Sequence, residues 1–237
     1  MPNIDASIGF LADLPAYEKV KPYLMLVPVE SSSDPENPDL TNLVYEQRLV
    51  KIRDIRYDGT LSLDTHGAQL LSHTSRFKFE SFSSPSELTA YRAEVDELLY
   101  TTFGSFIWRP LNDDPVEDYP LTVCDGRTVD SKDIVPADRV FPGYHGEVYQ
   151  VKYSPKQEWL WCEHQTSSEP FAVLMYDTCP SGTARLCPHT SFANPRAKPN
   201  AQPRKSVEAR TLVITRIPDD TKDPKTVSDA PGSHSGT

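Results

Sequence analysis

The clearest periodicity in the chain lies between residues 84 and 102. Leu88, Tyr91, Val95, Leu98 and Leu99 recur at helical spacing and form one apolar face, while Glu87, Arg92, Glu94, Asp96 and Glu97 take the other. Ser84 or Ser86 can cap this helix, Pro85 suits its first turn and Gly104 suits its end. Elsewhere the period is two, or too short to measure. Residues 148–153 alternate cleanly, with Val148, Gln150 and Lys152 against Tyr149, Val151 and Tyr153. Residues 6–29 are mostly apolar and end in a strand-like run, 23–27. Residues 44–56 read as one or two strands, and 61–64, 159–162, 171–176 and 210–216 as further short ones. Trp159 and Trp161 flank Leu160, and one indole is expected on the core while the other meets a cleft or solvent.

Polar and proline-broken segments separate these runs. The stretch 31–39, SSSDPENPD, is a loop, and 194–205 carries three prolines, Pro195, Pro199 and Pro203. Residues 219–237 hold almost no apolar side chain and read as a disordered tail. The pattern predicts a mainly β domain with one supporting amphipathic helix, a sandwich or barrel. It divides as one domain over 1–218, with a helix-containing part at 54–104, a β-rich part at 105–218, and the tail.

Composition narrows the function classes. At 237 residues and 38% apolar content the chain can bury one sizeable core. Proline, at 22, outnumbers glycine, at 10, as suits turns set by fixed φ. A net charge of −10 with no basic cluster argues against nucleic acid, because phosphate binding needs a basic face. No apolar run is long enough to span a bilayer, and the first residues lack the basic start of a signal peptide, so the expected location is the cytoplasm. The four cysteines, Cys124, Cys162, Cys179 and Cys187, have no CxxC spacing, which disfavours a zinc ribbon and favours buried free thiols.

Four ordered stretches carry a resemblance. The first is Asp64-Thr65-His66-Gly67 with Gln69-Leu70 and His73, then the helix bearing Tyr91 and Glu94. The second is Ile107-Trp108-Arg109-Pro110-Leu111, running on to Pro115-Val116-Glu117-Asp118-Tyr119-Pro120-Leu121 and Cys124-Asp125-Gly126-Arg127. The third is Gly146-Glu147 with Val151-Lys152-Tyr153 and Trp159. The fourth is Tyr176-Asp177, Arg185 and Pro188-His189-Thr190-Ser191-Phe192, then Pro203-Arg204-Lys205-Ser206-Val207-Glu208-Ala209-Arg210. In this order they resemble the fungal asaB-type hydroxylase/desaturase family, which includes gibberellin desaturase-like and cephamycin methoxylase-like proteins. The resemblance implies a double-stranded β-helix, or jelly-roll, that uses Fe(II) and 2-oxoglutarate to hydroxylate or desaturate a small fungal metabolite. Such oxygenases bind iron through two histidines and a carboxylate. On that resemblance His189 matches the second iron histidine and Arg210 the arginine that pairs with the keto acid, 210 − 189 = 21 residues later. The resemblance names no catalytic residue beyond these.

One part of the family pattern is missing. Family members carry an H-x-D pair before the Trp-Arg-Pro stretch, whereas here Phe103-Gly104 runs straight into Ser105-Phe106-Ile107-Trp108. The expected fold is therefore an incomplete or rearranged jelly-roll. Only His145-Gly146-Glu147 has a comparable spacing, and it also reads as a solvated turn after Pro142-Gly143. The plain alternatives are a loop histidine for His189 and, for Arg210, an exposed arginine ahead of a buried ion pair with Glu208. Trp108, Arg109, Asp125 and Arg127 are expected to form a structural network, and Asp64 with His66 to lie outside the iron site. If the oxygenase reading holds, the absent ligands come from His145 and Glu147 or from a second chain in a homo-oligomer. The rival readings are a metal-independent dehydratase, isomerase or cyclase on the same fold, or an inactive truncated relative.

Overall fold

The computed structural model describes residues 3–26, 40–102, 106–178 and 182–214, without the side chains of residues 101 and 102. The expected loop at 31–39, the junction at 103–105 with its helix-ending Gly104, Cys179, and the tail lie outside the described residues.

The chain opens with β1 (Ile4–Leu11), β2 (Tyr23–Met25) and β3 (Tyr45–Asp54), then a short helix α1 (Leu63–His66), β4 (Ala68–Leu70) and the long helix α2 (Pro85–Thr102). Strands β5 (Phe106–Pro110), β6 (Leu121–Cys124), β7 (Ile134–Phe141) and β8 (Tyr144–Val151) follow. The last are β9 (Trp159–Trp161), β10 (Phe171–Val173), β11 (His189–Ser191) and β12 (Ser206–Arg210). They form a five-stranded sheet in the order β1-β3-β9-β6-β11, a four-stranded sheet β12-β5-β10-β4, and a three-stranded sheet β2-β7-β8.

Three apolar clusters hold these layers together. Phe106, Trp108, Leu121, Val123, Leu160 and Phe171 fill the space between the five- and four-stranded sheets. On the far face of the four-stranded sheet, α2 seats Tyr91, Val95 and Leu99 against Ile107 and Ala172, as the helical periodicity predicts. On the far face of the five-stranded sheet, Ile4, Ile8, Phe10 and Ile52 pack with Trp159 and Trp161.

Three expectations need correction. Residues 61–64 do not form a strand: Ser62 caps α1 and Gly67 ends it in the left-handed region at φ 79°. Both Trp159 and Trp161 are buried, with Leu160 buried between them. Alternate residues share a face, and β9 is covered on both faces. The last strand ends at Arg210 rather than continuing through residues 211–214. Residues 44–56 resolve into the single strand β3.

Candidate functional site

The site is set by strand register. β11 pairs antiparallel with β6, so that His189 lies opposite Val123, a member of the cluster between the sheets. β12 pairs with β5, setting Glu208 opposite Trp108 and Arg210 opposite Phe106. Directly opposed residues in a pair share a face. Phe106 and Trp108 belong to the same inner cluster, so His189, Glu208 and Arg210 all sit on the inner side of the two facing sheets. Val207 and Ala209 alternate to the outside, against α2.

The imidazole of His189 stacks on Phe106, with centroids 5.0 Å apart and planes 29° from parallel. Its Nδ1 is 3.1 Å from the Cys187 carbonyl oxygen. A carbonyl only accepts, so Nδ1 carries the proton and the neutral ring keeps its lone pair on Nε2. Burial pushes the His189 pKa down; the Cys187 bond and the Glu208 charge oppose this, while Arg210 adds to it. The ring is thus held neutral, the state of a ligand or a base. Arg210 is 52% exposed at its side chain, and its guanidinium binds the Glu208 carboxylate at 2.7 Å. A second guanidinium, that of Arg204, lies 5.7 Å from the Trp108 ring centroid and donates to the Tyr119 carbonyl at 2.6 Å.

The structure does not bring the other sequence candidates to this face. His145 and Glu147 lie on β8, in the three-stranded sheet, where Lys21 bridges Asp138 and Glu147 and His145 sits 3.5 Å from Asp138. They form an exposed ion-pair cluster, and the spacing that suggested a ligand pair is strand alternation. His66 is buried beside Thr65, Nδ1 to Oγ1 2.6 Å. Arg109 and Asp125 serve two separate networks. Arg109 donates to the Phe77 carbonyl at 2.7 Å behind α2, whereas Asp125 is clamped by Arg127 at 2.6 Å.

The Glu208–Arg210 ion pair, the less favoured alternative on sequence, does form, though exposed rather than buried, and nothing in the sequence marks Phe106 as a neighbour of His189. The signal for Glu208 was its position two residues before Arg210, on the same face of one strand. Among the described residues, no three His, Cys, Asp or Glu side chains gather closely enough to hold a metal ion. His189 alone does not fit a facial triad, which takes three protein ligands where this face offers one imidazole.

The two facing β layers define the fold class, a jelly-roll of the kind found in iron- and 2-oxoglutarate-dependent oxygenases. The solved iron and alpha-ketoglutarate-dependent endoperoxidase NvfI superposes with a TM-score of 0.70, covering 87% of this chain and 96% of that one at 18% identity, a likeness of fold. The model of the oxidoreductase/YMDC permease-like domain matches residues 105–214. The hydroxylase/desaturase asaB of Aspergillus flavus is 36% identical over 187 residues, 71% of this chain and 81% of that protein. The chain belongs to the asaB hydroxylase/desaturase family. The hydroxylase/desaturase efuI of Hormonema carpetanum is 33% identical over 135 residues, and the Fe(II)/2-oxoglutarate-dependent dioxygenase nvfI of Aspergillus novofumigatus 35% over 120. These matches span 44% and 42% of those two proteins. No helix among the described residues is long and apolar enough to cross a membrane.

Proposed function

We propose that this chain serves an oxidative step of fungal secondary-metabolite biosynthesis, the hydroxylation or desaturation of a small molecule. The observation that supports this reading is the register that turns His189 and Arg210 to one inner face, as the family pattern requires. His189, neutral through burial and oriented by Cys187, would present Nε2 to a metal ion. Arg210 would take the far carboxylate of a keto acid, in exchange for Glu208. Iron with a keto acid would supply oxidising power, but the described residues of one chain do not complete its ligand set, and no reaction step is assigned to it.

A second reading is favoured by that same incompleteness: a metal-independent isomerase, dehydratase or cyclase. A neutral buried imidazole beside an apolar ring can move a proton without a metal.

The test inserts the H-x-D segment of the family between Gly104 and Ser105. Succinate formation from 2-oxoglutarate with Fe(II) and ascorbate is then measured. Activity that disappears in both His189→Ala and Arg210→Leu supports the oxygenase reading. Activity that survives either substitution removes these residues from the site.

A further inference from the structure

Strand β12 is the outermost strand of its sheet, and among the described residues no strand pairs with its other edge. Its hydrogen-bonding parity follows from two facts. Leu111 N–H donates to Lys205 at 2.9 Å, and Ser206 lies opposite Pro110, which has no N–H to give. Residues 205, 207 and 209 therefore bond inward to β5. The backbone groups of Ser206, Glu208 and Arg210 point to the open edge. Beyond Arg210 the chain carries Leu212 and Ile214, 84% and 85% exposed. An open edge ending in exposed apolar residues is a template for strand addition.

We propose that the occupant is a second copy of this chain, paired antiparallel through β12 about a twofold axis at Ala209. Charge fixes that register. A twofold centred on Glu208 would oppose two carboxylates, and one centred on Arg210 two guanidinium groups. Centred on Ala209, Glu208 faces Arg210 of the partner subunit, and Arg210 faces the partner's Glu208. Both residues have edge-directed backbone groups, so the same register also satisfies the hydrogen bonds. The small Ala209 side chains meet at the axis. Leu212 comes opposite Ser206 of the partner subunit and loses water. The two four-stranded sheets become one of eight strands, 4 + 4, with both α2 helices on one face. Within one chain Arg210 pairs with Glu208 at 2.7 Å, and the dimer exchanges that pair for two between subunits, drawing on the same arginine that the proposed function assigns to a keto acid.

The experiment measures mass by light scattering over a concentration series of the full chain, with circular dichroism of each variant as a check of folding. The wild type should reach the dimer mass. Glu208→Arg and Arg210→Glu each place like charges in register and should weaken the dimer on the order of a hundredfold. Mixing the two variants restores both opposite pairs, and a heterodimer should form. Amide exchange at Glu208 and Arg210 in the wild type should slow as concentration rises, a readout that needs no variant. A wild type monomeric at every concentration, single variants that dimerise normally, or a mixture that stays monomeric would each overturn the proposal.

Discussion

Phe106 and His189 come from strands of different sheets, yet their rings lie stacked 5.0 Å apart across the space between the layers. Phe106 is fully buried and sits directly opposite Arg210. This one ring therefore covers a face of the imidazole and lies beside Arg210 in the strand register. Its removal by Phe106→Ala should cost about 3–5 kcal/mol of stability. It should also raise the His189 pKa toward the ordinary value, read by NMR titration of the imidazole. A fall in that pKa would show that Phe106 is not what desolvates the ring.

The same burial predicts a pH dependence. The folded His189 pKa lies below its unfolded value of about 6.5. As pH falls through that value the unfolded chain takes up a proton that the folded chain refuses, so stability is lost toward acid. The loss is at most about 1.4 kcal/mol per pH unit for one group. Melting temperature should be flat from pH 8 to 7 and fall between pH 6.5 and 5, with the slope reduced in His189→Gln. The lowered carboxyl groups of Glu117, Asp138 and Glu169 act in a different window, below about pH 4.5. An unchanged slope in the variant would contradict the assignment.

Gly67 explains how α1 turns into β4. Its φ of 79° is in the left-handed region, and a Cβ there would lie 2.9 Å from the Cys187 Cβ. Gly67→Ala should cost about 1–2 kcal/mol from backbone strain, with more from the displaced Cys187. Because Cys187 carries the carbonyl that orients His189, the His189 resonance should shift as well. Wild-type melting temperature and an unmoved resonance would exclude this coupling.

Thiol chemistry gives an independent check of packing. Cys124, Cys162 and Cys187 are free and buried. Burial pushes the Cys124 and Cys162 thiols up to about 12, and Cys187 well above its ordinary value. In a Cys179→Ser background, no thiol should react with an aromatic disulfide reagent in the native state, and all three should react in guanidinium. Fast native labelling would show that the inner layer is open.

How much of this was legible depended on element length and on how many faces each element buries. Helix α2 has 18 residues and one buried face, so its periodicity survives in the sequence. β1 alternates buried and exposed positions from Ile4 to Phe10, a period that the apolar residues following it blur in the sequence. β11 has three residues and no measurable period; only the resemblance marked His189. The two tryptophans of β9 misled because both faces of that strand are covered. His145 and Glu147 show the limit of spacing: the i, i+2 pattern of a ligand pair is also the pattern of one strand face. That Arg210 lies on an open edge depends on which strands flank it, a property of topology that local sequence does not carry.

His189 and Arg210 share an inner face without a complete iron triad among the described residues. Anaerobic Fe(II) titration of the purified 237-residue chain, beside His189→Ala, tests it most directly. One imidazole leaves the ion mostly hydrated and exchangeable, so the account predicts loosely held iron well below one per chain, little changed by the substitution. One iron per chain that survives desalting and is lost in His189→Ala would contradict it.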